Sequence, residues 1–285
     1  MANTLSTYAL RHKYFKANLQ QALRNALVAE AICQVDRSEL KTIENPYITA
    51  TSAAIQAVAG TYSVNAMTVT DDALSVADEI VDATHIFDFE MRTANFDLMA
   101  DFLDELIYRV SHKIDQFVLN KILDVAGGTY TTPAGGFTTS ANVPVICANL
   151  LSKVAGYQSG VATAPFLVIE STDIVGFAQT QVSSGYNYAD AALNNGFQGN
   201  YMGIDIYVIR TGTFVTATLG TLTAANSGHR LFGIKNLAIY ASPRGVSYEE
   251  KGVTGKTGKE VVAYGYVGAT IWTPLRDLFV DITLA

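Results

Sequence analysis

Cysteine is scarce, with only Cys33 and Cys147 in 285 residues. Two are too few for a disulfide framework or a thiolate metal cluster, so both read as small buried hydrophobes. No apolar run approaches the ~20 residues of a membrane-spanning helix. The opening Met-Ala-Asn-Thr-Leu-Ser-Thr-Tyr lacks the basic segment and apolar core of a secretion signal. The expectation is therefore a protein assembled in the cytoplasm, with no membrane partner. Positive charge is short as well: 19 Lys and Arg against 26 Asp and Glu give a net charge of -7. That balance excludes a whole-surface grip on a phosphate backbone. With 49% apolar and 16% charged residues, the chain can still bury a sizeable core.

Catalytic signatures are also missing. Gly255-Lys256-Thr257 resembles the end of a phosphate loop, but Glu250 stands where that loop needs its first glycine. The segment also precedes a strand pattern and not the helix N-terminus that would hold a phosphate, so it reads as a surface turn. His12, His85, His112 and His229 are scattered and never fall at metal-ligand spacing. Ser171 and Ser183 lack the Gly-x-Ser-x-Gly elbow. The carboxylate pairs Asp71-Asp72 and Asp104-Glu105 fall on an expected turn and an expected helix surface, where solvation explains them. The expectation is no enzyme, no cofactor and no metal.

What is present is an uneven distribution of charge. Residues 1–41 carry +3 and residues 42–95 carry -7, a contrast that suggests contact within one subunit or between copies. Between Thr129 and His229 the only Asp, Glu, Lys or Arg residues are Lys153, Glu170, Asp173, Asp190, Asp205 and Arg210. A solvated surface of this length carries more charge, so much of it is expected to meet other protein.

The periodicities suggest an α+β chain without repeats. Residues 5–33 read as a helix on the stripe Leu10, Tyr14, Leu23, Leu27 and Ala31, and Pro46 closes this arm. Runs at 63–70 and 74–89 read as the strands of a long acidic hairpin, with Asp71-Asp72 as its turn. Phe96, Met99, Phe102, Leu103, Leu106, Val110, Ile114, Phe117, Val118 and Ile122 recur every three or four residues. Asn95 can cap this helix and Gly127-Gly128 can end it, giving a rod of about 46 Å over 96–126. A Gly/Thr-rich loop runs through Ser140. Helices are expected at 143–157 and 172–182, and strands at 165–170, 203–210, 231–241, 260–273 and 277–284, the last two joined at Pro274-Leu275.

This order of elements resembles the major capsid proteins of tailed double-stranded DNA phages, with the fold named for phage Hong Kong 97. The resemblance covers essentially the whole chain. It is carried by the arm, the hairpin, the long helix and Phe166-Leu167-Val168-Ile169-Glu170-Ser171-Thr172-Asp173. It continues through Gly196-Phe197-Gln198-Gly199-Asn200-Tyr201-Met202-Gly203-Ile204-Asp205-Ile206-Tyr207-Val208 and Ala263-Tyr264-Gly265-Tyr266-Val267-Gly268-Ala269 to Leu284.

The resemblance implies an N-terminal arm at 1–45, an extended β-hairpin loop with the start of a peripheral domain at 46–95, and a spine helix and loop at 96–142. An axial domain would follow at 143–242, with closing peripheral strands at 243–285. It implies self-assembly of hexamers and pentamers into an icosahedral shell around packaged DNA, located in the virion capsid. Implied partners are a scaffolding protein, a portal and a possible cement protein. The short arm implies no large built-in scaffold, so that a separate scaffolding protein, or the arm itself, would do that work. Some family members crosslink through a lysine on the extended loop. Here no lysine occurs between Lys41 and Lys113, so a non-covalent shell is expected. Charge complementarity names Asp71, Asp72, Asp78, Glu79 and Asp82 against Arg11, Lys13 and Arg244 as candidate contacts between subunits. An encapsulin-type compartment and another virion component, such as a tail or decoration protein, are alternatives that composition leaves open.

Overall fold

A computed structural model of the chain describes residues 27–49, 67–88, 90, 98–156, 164–184, 197–214, 226–252, 255 and 257–285. Its organising element is helix α2, Leu98–Val125, which follows a four-residue helix α1, Ala29–Ile32. At 28 residues, α2 is about 42 Å long. Leu106, Val110, Ile114, Phe117 and Val118 form its apolar stripe, and from residue 114 to 120 every side of the helix is buried. Burying each of these large side chains contributes roughly 1.5–3 kcal/mol.

One sheet lies along this helix. Its centre is β12, Lys259–Ile271, which pairs antiparallel with β4, Asp78–Ile86, and with β11, Ser247–Gly252, on opposite edges. Farther along, β12 pairs with β10, Ala238–Ala241, and β10 takes β1, Gln34–Asp36, in parallel. Val261, Ala263 and Val267 alternate toward the core, the two-residue period of a half-buried strand. Gly265 continues that series where the helix comes closest, since a Cβ there would stand 2.9 Å from Ile114 Cδ1.

The second sheet has the order β5-β13-β9-β6-β8-β7. Its strands are β5, Gly128–Thr131; β6, Pro165–Glu170; β7, Phe197–Tyr201; β8, Ile204–Ile209; β9, His229–Ile234; and β13, Val280–Thr283. Helices α3, Asn142–Val154, and α4, Ile174–Ser184, belong to this half of the chain. Phe166, Phe232 and Phe279 are fully buried, and Gly233 leaves the room that the Phe279 ring fills. A separate two-stranded ribbon pairs β2, Thr42–Ile48, with β3, Val69–Ser75.

Several sequence expectations are corrected. The N-terminal helix read at 5–33 lies mostly outside the described residues; what is described ends as α1 and then turns into β1. Pro46 does not close the arm but sits inside β2 opposite Asp71. A ribbon strand with an open edge tolerates the missing N–H. Asp71 and Asp72 are mid-strand residues of β3 and make no turn. The run expected at 74–89 breaks at residues 76–77 into β3 and β4, which belong to different sheets. The run at 231–241 likewise divides into β9 and β10. Part of the Gly/Thr-rich loop is strand β5, and β11 was not anticipated. A 3-10 helix, Thr273–Leu278, delays the last strand to Val280. The closing segment 243–285 therefore contributes to both sheets.

Candidate interaction surfaces

The ribbon has two unlike faces. On one, Ile43 and Leu74 pack with Trp272 and Ala241, and Asp72 Oδ2 accepts the Thr273 N–H at 2.6 Å. Partial loss of water pushes the Asp72 carboxyl upward. The hydrogen bonds from Thr273 and the charge of Arg276 outweigh that push and hold it below its ordinary value. On the other face, Thr42, Glu44, Pro46, Ile48, Val69, Asp71, Ala73 and Ser75 are all exposed. The pair Ile48 and Val69 at the outer end is 64% and 66% exposed, and neighbouring Met67 is 72% exposed. The outer end of this face is therefore apolar and exposed to solvent.

A second exposed area is the face of β4, β12 and β11 turned away from α2. Register places Val81 beside Tyr264 and Glu79 beside Tyr266. The Tyr264 and Tyr266 rings meet edge to face at 6.1 Å, and the Tyr264 hydroxyl donates to Glu249 Oε1 at 3.1 Å.

The residues singled out from charge separate into two groups. Asp82 lies 3.8 Å from Arg109 Nη1, and Arg109 Nε donates to Glu105 Oε1 at 3.1 Å, which ties β4 to the spine helix. Arg244 pairs with Glu39 at 2.9 Å within the same chain. Asp78 lines a cavity of about 260 Å³ at the ribbon root together with Leu74, Phe117 and Lys121. Asp82, Arg244 and Asp72 thus have partners within the chain. Asp71 and Glu79 are exposed. Arg11 and Lys13 lie outside the described residues.

Sequence reading missed the polar residues that lock the body. Asp115 is buried on α2, and its Oδ1 accepts the N–H groups of Val28 and Ala29 at 2.8 and 2.6 Å. Burial drives its carboxyl up to about 6, although those two bonds oppose the rise and Glu30 adds to it. Asn120 Nδ2 donates to Thr213 O at 2.9 Å, and Gln116 Nε2 donates to the same oxygen at 3.1 Å. Asn226 Nδ2 then donates to Asn120 Oδ1 at 3.2 Å. In the other sheet, buried Arg230 donates to Glu170 Oε2 at 3.1 Å and to Asp173 Oδ2. Glu170 Oε1 accepts the Gly212 N–H at 3.0 Å. The one available signal was a polar residue interrupting an apolar stripe, and it does not name a partner. Both cysteines are buried, and burial pushes the Cys147 thiol up to about 12.

Among the described residues, no His, Cys, Asp and Glu side chains gather in threes as metal ligands. No helix there is long and apolar enough to cross a membrane.

No family model and no curated protein matches the sequence. Solved structures do match its architecture. A chain from Mycobacterium phage Che8 superposes with a TM-score of 0.73 at 14% identity, over 95% of this chain and 96% of that one. The capsid structure of cyanophage P-SCSP1u gives 0.72 at 14% identity, over 100% and 97%. The asymmetric unit of the bacteriophage PhiM1 mature capsid gives 0.71 at 10% identity, over 96% and 92%. The class defined here is a mixed helix-and-sheet fold shared over nearly the whole chain with phage capsid structures. The likeness is one of fold, reached at 10–14% identity.

Proposed function

We propose that this chain is the major capsid protein of a tailed phage, building an icosahedral shell from hexamers and pentamers around double-stranded DNA. The observation that carries the reading is the end-to-end match of architecture to phage capsid structures. The physical features agree with it. A ribbon with one anchored face and one open face is built to lie on a neighbour, and a helix buried on all sides over its middle makes a stiff brace for it.

In this reading the fold is the Hong Kong 97 type. The arm ends ahead of β2, the extended loop takes in the ribbon and runs to 95, and the spine and its loop occupy 96–142, the axial domain 143–242 and the closing strands 243–285. The open ribbon face, with Asp71, Ile48 and Val69, meets the neighbouring subunit, and Glu79 borders a second contact. The basic arm, with Arg11 and Lys13, supplies complementary charge. The shell is held without covalent crosslinks, since no lysine lies between Lys41 and Lys113. A scaffolding protein, a portal and a cement protein are its partners. Assembly takes place in the host cytoplasm, and the DNA is enclosed without being read.

The test is to express the chain alone, pass it over a size-exclusion column, and record negative-stain electron micrographs and the 260 nm absorbance of the large species. Closed shells, tubes or rings of subunits are expected. A stable monomer under all conditions overturns the proposal, and shells filled with one cargo protein would replace the phage reading with a compartment. Covalent ladders on a denaturing gel of mature particles would refute the non-covalent shell.

A further inference from the structure

Among the described residues, three that are not glycine have a left-handed backbone: Met202 at φ 53, Asn236 at φ 61 and Arg244 at φ 61. Two have a local explanation. Asparagine visits this region at little cost, and the Asn236 N–H is fixed by Ile32 O at 2.8 Å. Arg244 reaches Glu39. Met202 has no polar group with which to offset the strain. It heads the two-residue turn between β7 and β8, where Gly203 follows at φ 85. Positive φ at both central positions is the hairpin geometry that favours asparagine or aspartate before glycine. A methionine there works against the turn, and its side chain is 44% exposed, so it does not serve the core.

The turn is nevertheless held firmly. Gly203 N–H donates to Asn200 Oδ1 at 3.0 Å, and Asn200 Nδ2 donates to Asp205 Oδ1 at 2.8 Å. Asp205 Oδ2 accepts from Lys235 Nζ at 2.5 Å, and that amine stands 4.9 Å from the Tyr207 ring centroid. On the other side of Met202, Tyr201 is buried with its ring edge-on to Phe177 at 5.8 Å. A fixed base presenting a strained, apolar, flexible side chain is the form of a contact point.

We infer that the Met202 turn is an assembly contact, its thioether seated against a second copy of this chain. The second copy is the occupant favoured because the sequence around the turn is charge-poor from Thr129 to His229. Identical uncharged surfaces can meet around a symmetry axis without repulsion, whereas like charges could not. The inference rests on the shell-building reading.

Its test uses Met202→Asn and Met202→Leu in the full chain. Met202→Asn suits the turn and removes the apolar contact, so the subunit should melt roughly 2–4 °C higher while the concentration needed for assembly rises about tenfold. Met202→Leu keeps the apolar bulk and should assemble as the wild type does. Peroxide oxidation mapped by mass spectrometry should modify Met202 in unassembled subunits and spare it in particles. Equal assembly by Met202→Asn, loss of assembly by Met202→Leu, or equal oxidation in both states overturns the contact. A wild-type chain that never assembles instead overturns the shell reading itself.

Discussion

In the middle of α2 every residue from 114 to 120 is buried, and Asp115, Gln116 and Asn120 among them are hydrogen-bonded to segments far away in sequence. In the β2–β3 ribbon one whole face is open, and its outer pair, Ile48 and Val69, stands in solvent. These polar groups of the body are satisfied within it, whereas the ribbon keeps apolar groups exposed. On the proposed function the difference separates two jobs: residues of the body set the stability of the subunit, and residues of the ribbon set its association. A mutation series should divide along that line.

The largest effect is expected at Arg230. Arg230→Leu leaves Glu170 and Asp173 buried without their counter-charge and should cost about 3–5 kcal/mol in urea unfolding of the subunit. A loss under 1 kcal/mol would mean that the cluster is solvated and the body is less closed than described.

Next comes pH dependence at Asp115. Its folded pKa of about 6 lies above the ordinary aspartate value of 3.8, so the folded state binds this proton more tightly than the unfolded chain. Its contribution to stability is therefore fully present below pH ~4 and is lost as pH rises through ~6, an effect on the order of 3 kcal/mol. Asp115→Asn keeps an oxygen to accept from Val28 and Ala29 and abolishes the titration. The stability difference between wild type and Asp115→Asn should shift against the wild type between pH 4 and 7; a flat difference contradicts the buried-carboxylate account.

A smaller effect is expected at the ribbon anchor. Asp72→Ala removes the acceptor for the Thr273 N–H and should lower subunit stability by about 0.5–1.5 kcal/mol, while impairing assembly more than that loss explains. The smallest change in stability, within about 0.5 kcal/mol, is expected for the double substitution Ile48→Thr and Val69→Thr. Its light-scattering assembly curve should shift to higher protein concentration even so. An unchanged curve would remove the ribbon tip from the list of contacts and break the division of labour.

How much of this was legible in the sequence followed from range. The spine helix was readable because its stripe repeats within a turn, from Leu106 to Val110 to Ile114, and β6 because Phe166 to Ile169 is one unbroken apolar run. Asp71-Asp72 misled because acidic pairs favour turns. Here Asp72 is held in a strand by a hydrogen bond to Thr273, 201 residues away, which no local pattern can announce. The same holds for Asp115 and Asn120. The single run at 231–241 hid a change of sheet, because only the two polar residues Lys235 and Asn236 separate its apolar halves. Of the charged candidates, sequence could name Asp82 and Arg244 as salt-bridge formers but not Arg109 and Glu39 of the same chain as their partners.

Strand β13 lies between β5 and β9, so the sheet of the second half has its next-to-edge place filled by residues 280–283. During translation those residues leave the ribosome long after both of their neighbours. Until they do, β5 and β9 each have a bare edge, and the Phe279 ring that fills the space over Gly233 is not yet in place. A nascent chain interrupted before this point therefore has no completed body on which to mount its ribbon. On the proposed function, a chain released before residue 280 would lack the sheet position that β13 fills and would carry its ribbon on an incomplete body.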